Sequence, residues 1–480
     1  MTKSLYFYDL ETTGINPRSS RIMQFAGQRT DLNLQPIGEP DNILIKLTPD
    51  ILPDPEAILI TGITPQTTLI DGISEVEFLK YFYENIASQD TTFVGYNTIR
   101  FDDEFIRFLN YRNFYDAYEW QWQDGRSKWD ILDLVRMTRA LRPDGIKWPV
   151  SNDGKPTNRL ELIASINNLE HSNAHDALSD VTATIAVAGL IRAKQPKLYN
   201  YLFSIKDKKS IEKIVLADKP FVYTSGRYPA EFEKTTIVTS VCDHPTQKGS
   251  VFVYDLRVDP DLFTNLSPNE LADLLKIYKK TDDITPLPIK QLQFNRCPAV
   301  APLNVLTKET NDRLSLDITT IENNFNKLVK ADDFKDKFLE AVRINEKYRQ
   351  TQFTIDVNDV DSQLYDGFFN DSDKNKMRII RSADQDALAD LNLDFDDDRL
   401  QKLLLLYKAR QFTKSLNEYE QSSWQQYLHD KLLAGDQESL LAKYFKKIDE
   451  LSQLPNLTEK DIYLLEELKL YGESLLPGDY

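Results

Sequence analysis

Residues 5–14 read LYFYDLETTG: a continuous apolar run, Leu5-Tyr6-Phe7-Tyr8, stops at Asp9, and Glu11 follows two residues on. A run of that length and composition predicts a strand buried on both faces. Residues i and i+2 of a strand share a face, so Asp9 and Glu11 are expected to aim two carboxylates into one cleft at the strand's end. Taken alone, the D-x-E followed by Thr12, Thr13 and Gly14 also reads as an acid capping a turn. It acquires chemistry only with partners from elsewhere in the chain.

Working outward, strand-like runs recur at 43–47 and 92–96, and Ser74-x-x-Glu77 ahead of Phe78, Tyr81 and Phe82 has the form of a capped amphipathic helix. Helical periodicity fits 102–112, 130–141, 159–167 and 176–193, so the first 196 residues form an α/β unit with a central sheet, bounded near Pro196. From 219 to 257, short β-branched and aromatic runs are split by Gly226, Pro245 and Gly249, which predicts a small barrel or sheet; a helix over 268–279 and a further strand follow. Beyond about 354, apolar residues recur at three- and four-residue spacings, as in RLQKLLLLYKARQF. The expected architecture is α/β in three parts: 1–196, a β-rich 197–352, and a helical 353–480.

With 480 residues, 41% of them hydrophobic, the chain exceeds one core and is folded throughout. Cys242 and Cys297 are too few for a disulfide framework and lack metal-site spacing, which fits a reducing interior. Acids occupy the N-terminus where a signal peptide has its apolar core, and nowhere do eighteen apolar residues run together, so a cytoplasmic protein outside the membrane is expected. The net charge of −17 is awkward for a partner of nucleic acid, but it is uneven. Residues 1–200 carry 20 cations against 27 acids, 201–350 carry 23 against 22, and 351–480 carry 15 against 26.

Three separated segments supply acids: Asp9-x-Glu11, Asp102 in NTIRFDDEF, and Asp180 in HSNAHDALSD. Phosphodiester cleavage needs an acidified water and a neutralised leaving oxygen, and two divalent ions roughly 3.5–4 Å apart supply both. Hard Mg²⁺ takes oxygen ligands, hence carboxylates. Asp102 opens a helix, where a capping acid is ordinary, and Asp103 and Glu104 compete for its place. His175 precedes Asp180 by five residues, about 140° apart on a regular helix, so one must leave it. With Asn173 or a neighbour as cap, His175 lies on the entry turn, where an imidazole near neutrality can accept a proton from water. His171, His244 and His429 have no comparable acidic partner in sequence.

Together, FYDLETTG, GYNTIRFDDEF and EHSNAHDALSD resemble, in order, the three motifs of the DEDDh 3′→5′ exonuclease family. The resemblance implies an RNase H-like exonuclease domain with a mixed central sheet. It makes Asp9, Glu11, Asp102 and Asp180 the ligands of two Mg²⁺ ions, with Mn²⁺ a possible substitute, and His175 the general base. LITGITPQ, YRNFYDAYEW, ALRPDGIKWP, DSQLYDGFF and LLLLYKARQF extend the likeness over nearly the whole chain to a bacterial branch with an SH3-like domain and a helical extension. That branch implies a monomeric enzyme of DNA repair and recombination, degrading single-stranded DNA processively to 5′-mononucleotides.

A groove for single strands combines cations with aromatic stacking surfaces. The stretch 111–148 offers Arg112, Tyr115, Trp120, Trp122, Arg126, Trp129, Arg142 and Trp148, of which at least half the aromatics are expected in the core. The resemblance also implies a basic, partly apolar surface for the acidic C-terminal tail of single-stranded DNA-binding protein. Lys219 and Arg296 can contribute to it, whereas Pro302 and Thr307 stand where a polar and a basic residue are expected. The motifs do not separate DNA from RNA ends, because the 2′-OH is read by pocket shape. An inactive binding scaffold is disfavoured because all five residues are retained.

Overall fold

The computed structural model describes residues 3–169, 176–277, 285–352 and 359–476. They form two units: the first combines 3–127 and 176–182 with 359–476, the second combines 128–169 with the segments between 183 and 352. The first therefore joins the N-terminal α/β segment to the C-terminal helices.

In the first unit, β1 (Ser4–Thr12) is central. It pairs antiparallel with β2 (Ile22–Thr30) and parallel with β4 (Thr91–Gly95), and β2 pairs antiparallel with β3 (Asp41–Leu44), so the sheet is mixed. The run 5–8 is buried on both faces as its composition demands. Tyr6, Tyr8, Phe25, Phe78, Phe82, Phe93, Phe105 and Trp120 interlock in one aromatic core. Gly27 is required there, since a Cβ would lie 2.3 Å from the Tyr6 hydroxyl. The chain leaves this unit along β5 (Ser127–Asp130).

The helix Glu75–Tyr81 begins with the capping box read from Ser74 and Glu77, and the helix Asp102–Arg112 matches its expected span. The strand read over 43–47 is shorter, ending at Leu44, because Ile45 makes only an isolated bridge to Ile73. The C-terminal helices pack into the unit through two apolar clusters. One sets Phe108, Tyr111 and Phe114 against Leu400, Leu403 and Tyr407; the other sets Met23 and Ile58 against Tyr444, Ile448 and Leu468.

A buried ion network ties the same segments together. The Arg410 guanidinium donates to Asp50 (2.7 Å) and Asp361 (2.7 Å), Arg21 donates to Asp361 (2.5 Å), and the Lys431 ammonium to Asp50 (2.9 Å). Burial alone would raise the Asp50 carboxyl, but Arg410, Lys431 and Arg21 overrule it and hold it well below the usual range. Asp361 is held down by Arg410 and Arg21 against the same opposing burial.

The second unit contains a five-stranded antiparallel sheet, β6 (Phe221–Thr224), β7 (Thr235–Asp243), β8 (Ser250–Asp255), β9 (Ile289–Gln293) and β10 (Ala299–Pro302), in the order β10-β6-β7-β8-β9. The helix read over 268–279 is Pro268–Leu274. Two longer helices, Ile318–Lys330 and Phe334–Gln352, follow the sheet. No helix among the described residues is long and apolar enough to cross a membrane.

Candidate active site

Asp9 and Glu11 lie two residues apart on β1, opposite Ala26 and Gln24 of β2, just ahead of a register shift between Glu11 and Thr12. The parallel strand β4 ends beside them and turns through Asn97, in the left-handed region at φ 71°. A Cβ on Gly95 would lie 2.0 Å from Thr98 Cγ2, so glycine lets that turn close. The turn delivers Asp102 as the first residue of its helix. Asp180 arrives from the first turn of the helix Ala177–Lys194.

Carboxylate oxygens of Asp9, Glu11 and Asp180 all lie within 4.8 Å of one another. Burial raises the Asp9 carboxyl well above the usual range, and the charges of Asp102, Glu11, Asp180 and Asp176 add to the effect. Glu11, 8% exposed, is pushed up to about 8 by burial and then by Asp180 and Asp176. Like charges gathered in a low-dielectric cleft resist ionisation until a cation joins them. The donors are all oxygens, which suits a hard divalent ion. Sequence reasoning passed over Asp176 as a source of negative potential, although it adjoins His175 in the third motif.

The structure also separates the three acids that open the helix Asp102–Arg112. Asp103 accepts from the Tyr8 hydroxyl (2.6 Å), and Glu104 pairs with Arg107 (2.6 Å). Asp102, 4% exposed, is the one whose charge bears on Asp9. His175 and its expected cap Asn173 lie outside the described residues.

Most of the expected groove residues make contacts within the protein, and two of the aromatics lie in the core as expected. Trp120 is fully buried, its ring 4.9 Å from that of Phe93, and Trp129 is buried against Tyr199 and Phe203. Arg112 is buried in a pair with Glu75 (2.5 Å). Arg126 is buried and donates to the carbonyl of Ala87 (2.8 Å), and Arg142 donates to those of Leu141 and Val305. Tyr115 stacks on Tyr83 at 4.7 Å, with the Arg381 guanidinium 4.2 Å from its ring centroid. Trp148 donates through Nε1 to the Pro143 carbonyl and carries Arg139 over its ring. Trp122, 61% exposed, keeps an open face. In the second unit, Lys219 is exposed beside Lys213, Phe221 and Pro302 along a mostly apolar groove of about 650 Å³.

The sequence matches three family descriptions: "Exonuclease" over residues 6–188, "Exonuclease I SH3-like domain" over 206–342, and "Exonuclease I C-terminal domain" over 358–475. The chain is similar to exodeoxyribonuclease I of Haemophilus influenzae, at 40% identity across 98% of this chain and 99% of the relative. It is also similar to Escherichia coli exonuclease I solved with a dA16 oligonucleotide, at 37% identity and a TM-score of 0.93, covering 99% of this chain and 100% of that one. The E. coli protein has also been solved in a zinc-bound complex with single-stranded DNA, at 36% identity and TM-score 0.92 over 99% and 100% of the two chains. A structure of SSB with exonuclease I and an inhibitor matches at 34% identity and TM-score 0.90 over the same shares.

Proposed function

Since the chain belongs to the exonuclease I family and is a nuclease of the exodeoxyribonuclease I type, we propose that it removes nucleotides processively from the 3′ end of single-stranded DNA, releasing 5′-mononucleotides. The observation that carries this reading is the convergence of Asp9, Glu11 and Asp180 within 4.8 Å, with burial and neighbouring acids raising the first two carboxyls above their ordinary range. A protein does not assemble mutually repelling carboxylates for stability; they fit a divalent cation.

Asp9, Glu11, Asp102 and Asp180 would hold Mg²⁺, two ions per site, with Mn²⁺ a possible substitute. When bound, such ions acidify water and neutralise charge on the leaving oxygen. The chain's own part is positional: β1 fixes two carboxylates on one face, the Tyr8–Asp103 bond holds the start of the helix that carries Asp102, and His175 takes the proton from the attacking water. Asp180 is carried in the first turn of its helix, at the positive end of the helix dipole.

For domain limits we take 1–196 for the exonuclease domain, 197–352 for the SH3-like domain and 353–480 for the helical domain. The groove beside Lys219, with Arg296, takes the acidic C-terminal tail of single-stranded DNA-binding protein. The enzyme acts as a monomer in the cytoplasm, in DNA repair and recombination. A 5′-labelled single strand tests the reading. It should shorten progressively with Mg²⁺, stop with chelator, and persist with Asp9→Ala or His175→Ala. A 3′-blocked strand should resist, and matched RNA should be cut far more slowly. Unchanged shortening by both variants would overturn the assignment.

A further inference from the structure

Two adjacent aspartates, Asp102 and Asp103, open the helix Asp102–Arg112, and both are buried. The helix has no capping side chain to fix its first turn, because its N-cap residue is Phe101. Successive residues of a helix point about 100° apart, so rotating the helix start by one residue would present Asp103 to the cleft in place of Asp102. A contact from outside the helix has to set that rotation.

Tyr8 is placed to do so. It precedes Asp9 on β1 and therefore points to the opposite face of the strand. Its buried ring is boxed by Phe25, Phe93 and Trp120, with centroids 6.1, 6.1 and 6.3 Å away. Packing on these sides brings the hydroxyl to a fixed point, where it donates to Asp103 Oδ1 at 2.6 Å. The buried Thr98 side chain, in the turn after β4, hydrogen-bonds to the same hydroxyl. The other Asp103 oxygen lies 4.0 Å from Arg107, one turn along the helix.

The two aspartates are thereby divided between the faces of β1. Asp103 lies on the Tyr8 side, and Asp102 on the side of Asp9, where its charge acts. A hydroxyl bond to a carboxylate at this length is roughly twice as strong as one between neutral groups. Asp103 would have to give it up to enter the cleft.

We propose that Tyr8 is a positioning residue of the metal centre: its bond to Asp103 sets the rotation of the helix start, so that Asp102 joins Asp9 and Glu11 and Asp103 is withheld. The proposal rests on the exonuclease reading and deepens it. Tyr8 touches neither the ion nor the strand and acts only through the helix.

The test uses the full chain with Tyr8→Phe, Asp103→Asn and Asp102→Asn. Mn²⁺ binding is titrated by calorimetry on protein without DNA, and kcat and KM are measured on a thymidylate 30-mer over a range of Mg²⁺ concentrations. Tyr8→Phe keeps the ring and its packing and removes only the donor. Its Mn²⁺ dissociation constant should rise about tenfold or more and its kcat should fall comparably, with KM within about twofold of wild type, as when the partner of a metal site's ligand is lost. Asp103→Asn keeps an acceptor oxygen for Tyr8, and its losses in both readings should be smaller than those of Asp102→Asn by about tenfold or more, a comparison that stands even if Tyr8→Phe does not fold. Metal affinity and kcat of Tyr8→Phe within about twofold of wild type would overturn the proposal. So would a lowered melting temperature with metal binding unchanged, which marks the bond as structural only. Equal losses in Asp103→Asn and Asp102→Asn would overturn it as well, since Asp103 would then be a ligand itself. Failure of the exonuclease reading shows differently: wild type would bind Mn²⁺ and leave the 30-mer uncut.

Discussion

Two clusters of buried acids in one unit behave in opposite ways. Around Asp9 and Glu11 the neighbours that matter are other carboxylates, and both groups are driven toward their protonated forms. Around Asp50 and Asp361 the neighbours are Arg410, Arg21 and Lys431, and both acids are held ionised far into acid. Burial raises the carboxyl in every case, so the surroundings alone decide the direction. The second cluster is electrically complete and serves the fold. The first is incomplete in the protein alone, and that deficit is what a catalytic cation would fill.

The largest expected effect breaks the complete cluster. Asp361→Asn leaves Arg410 and Arg21 buried with one charge partner fewer and should cost about 3–5 kcal/mol of stability, read by denaturant unfolding. Asp9→Asn should do the reverse. Turnover should drop by about 10²–10³-fold, as for loss of one preorganised electrostatic group, while the metal-free protein melts higher because a buried carboxyl that must take up a proton on folding has gone. A melting temperature lowered by Asp9→Asn would contradict the contrast drawn between the clusters.

The pH dependence sharpens it further. The folded chain keeps a proton on Glu11 that the unfolded chain releases near 4.5, so metal-free stability should fall as pH rises from there to about 8. Asp50 and Asp361 are depressed, so their contribution is full above the ordinary carboxyl value near 3.9 and is lost as pH falls below it. Metal-free protein should therefore melt highest in mild acid, and Mg²⁺ should shift that maximum upward as it displaces the proton. Thermal scans from pH 3 to 9, with and without Mg²⁺, check both slopes. The smallest effect is ionic. Affinity for single strands should decline with salt, with a log–log slope of roughly −0.7 per phosphate neutralised; a flat response would remove phosphate contacts from the account.

What the sequence made legible was local. Alternation rules put Asp9 and Glu11 on one face, and the Ser74 capping box and the helix 102–112 follow from short-range pattern. The choice among Asp102, Asp103 and Glu104 was not legible, because it turns on Tyr8, 95 residues from the acid it binds. Trp120 and Trp129 looked like stacking platforms since an aromatic beside a cation in sequence has the same appearance whether it packs inward or faces DNA. Arg112 misled for a related reason: its partner Glu75 lies 37 residues away. The ion network escaped notice altogether, as its acids and bases come from stretches that show no local pattern.

The network also bears on when this molecule becomes a nuclease. Arg21 pairs through its backbone with Thr13, just past the strand that carries Asp9 and Glu11, and its side chain waits for Asp361, 340 residues downstream. Asp50 waits for Lys431, 381 residues away. During synthesis the N-terminal segment leaves the ribosome long before those partners exist. Contacts so distant in sequence form late and slowly. The strand bearing the acids is thus braced only when translation is nearly finished, and a chain released early carries the motif without its brace.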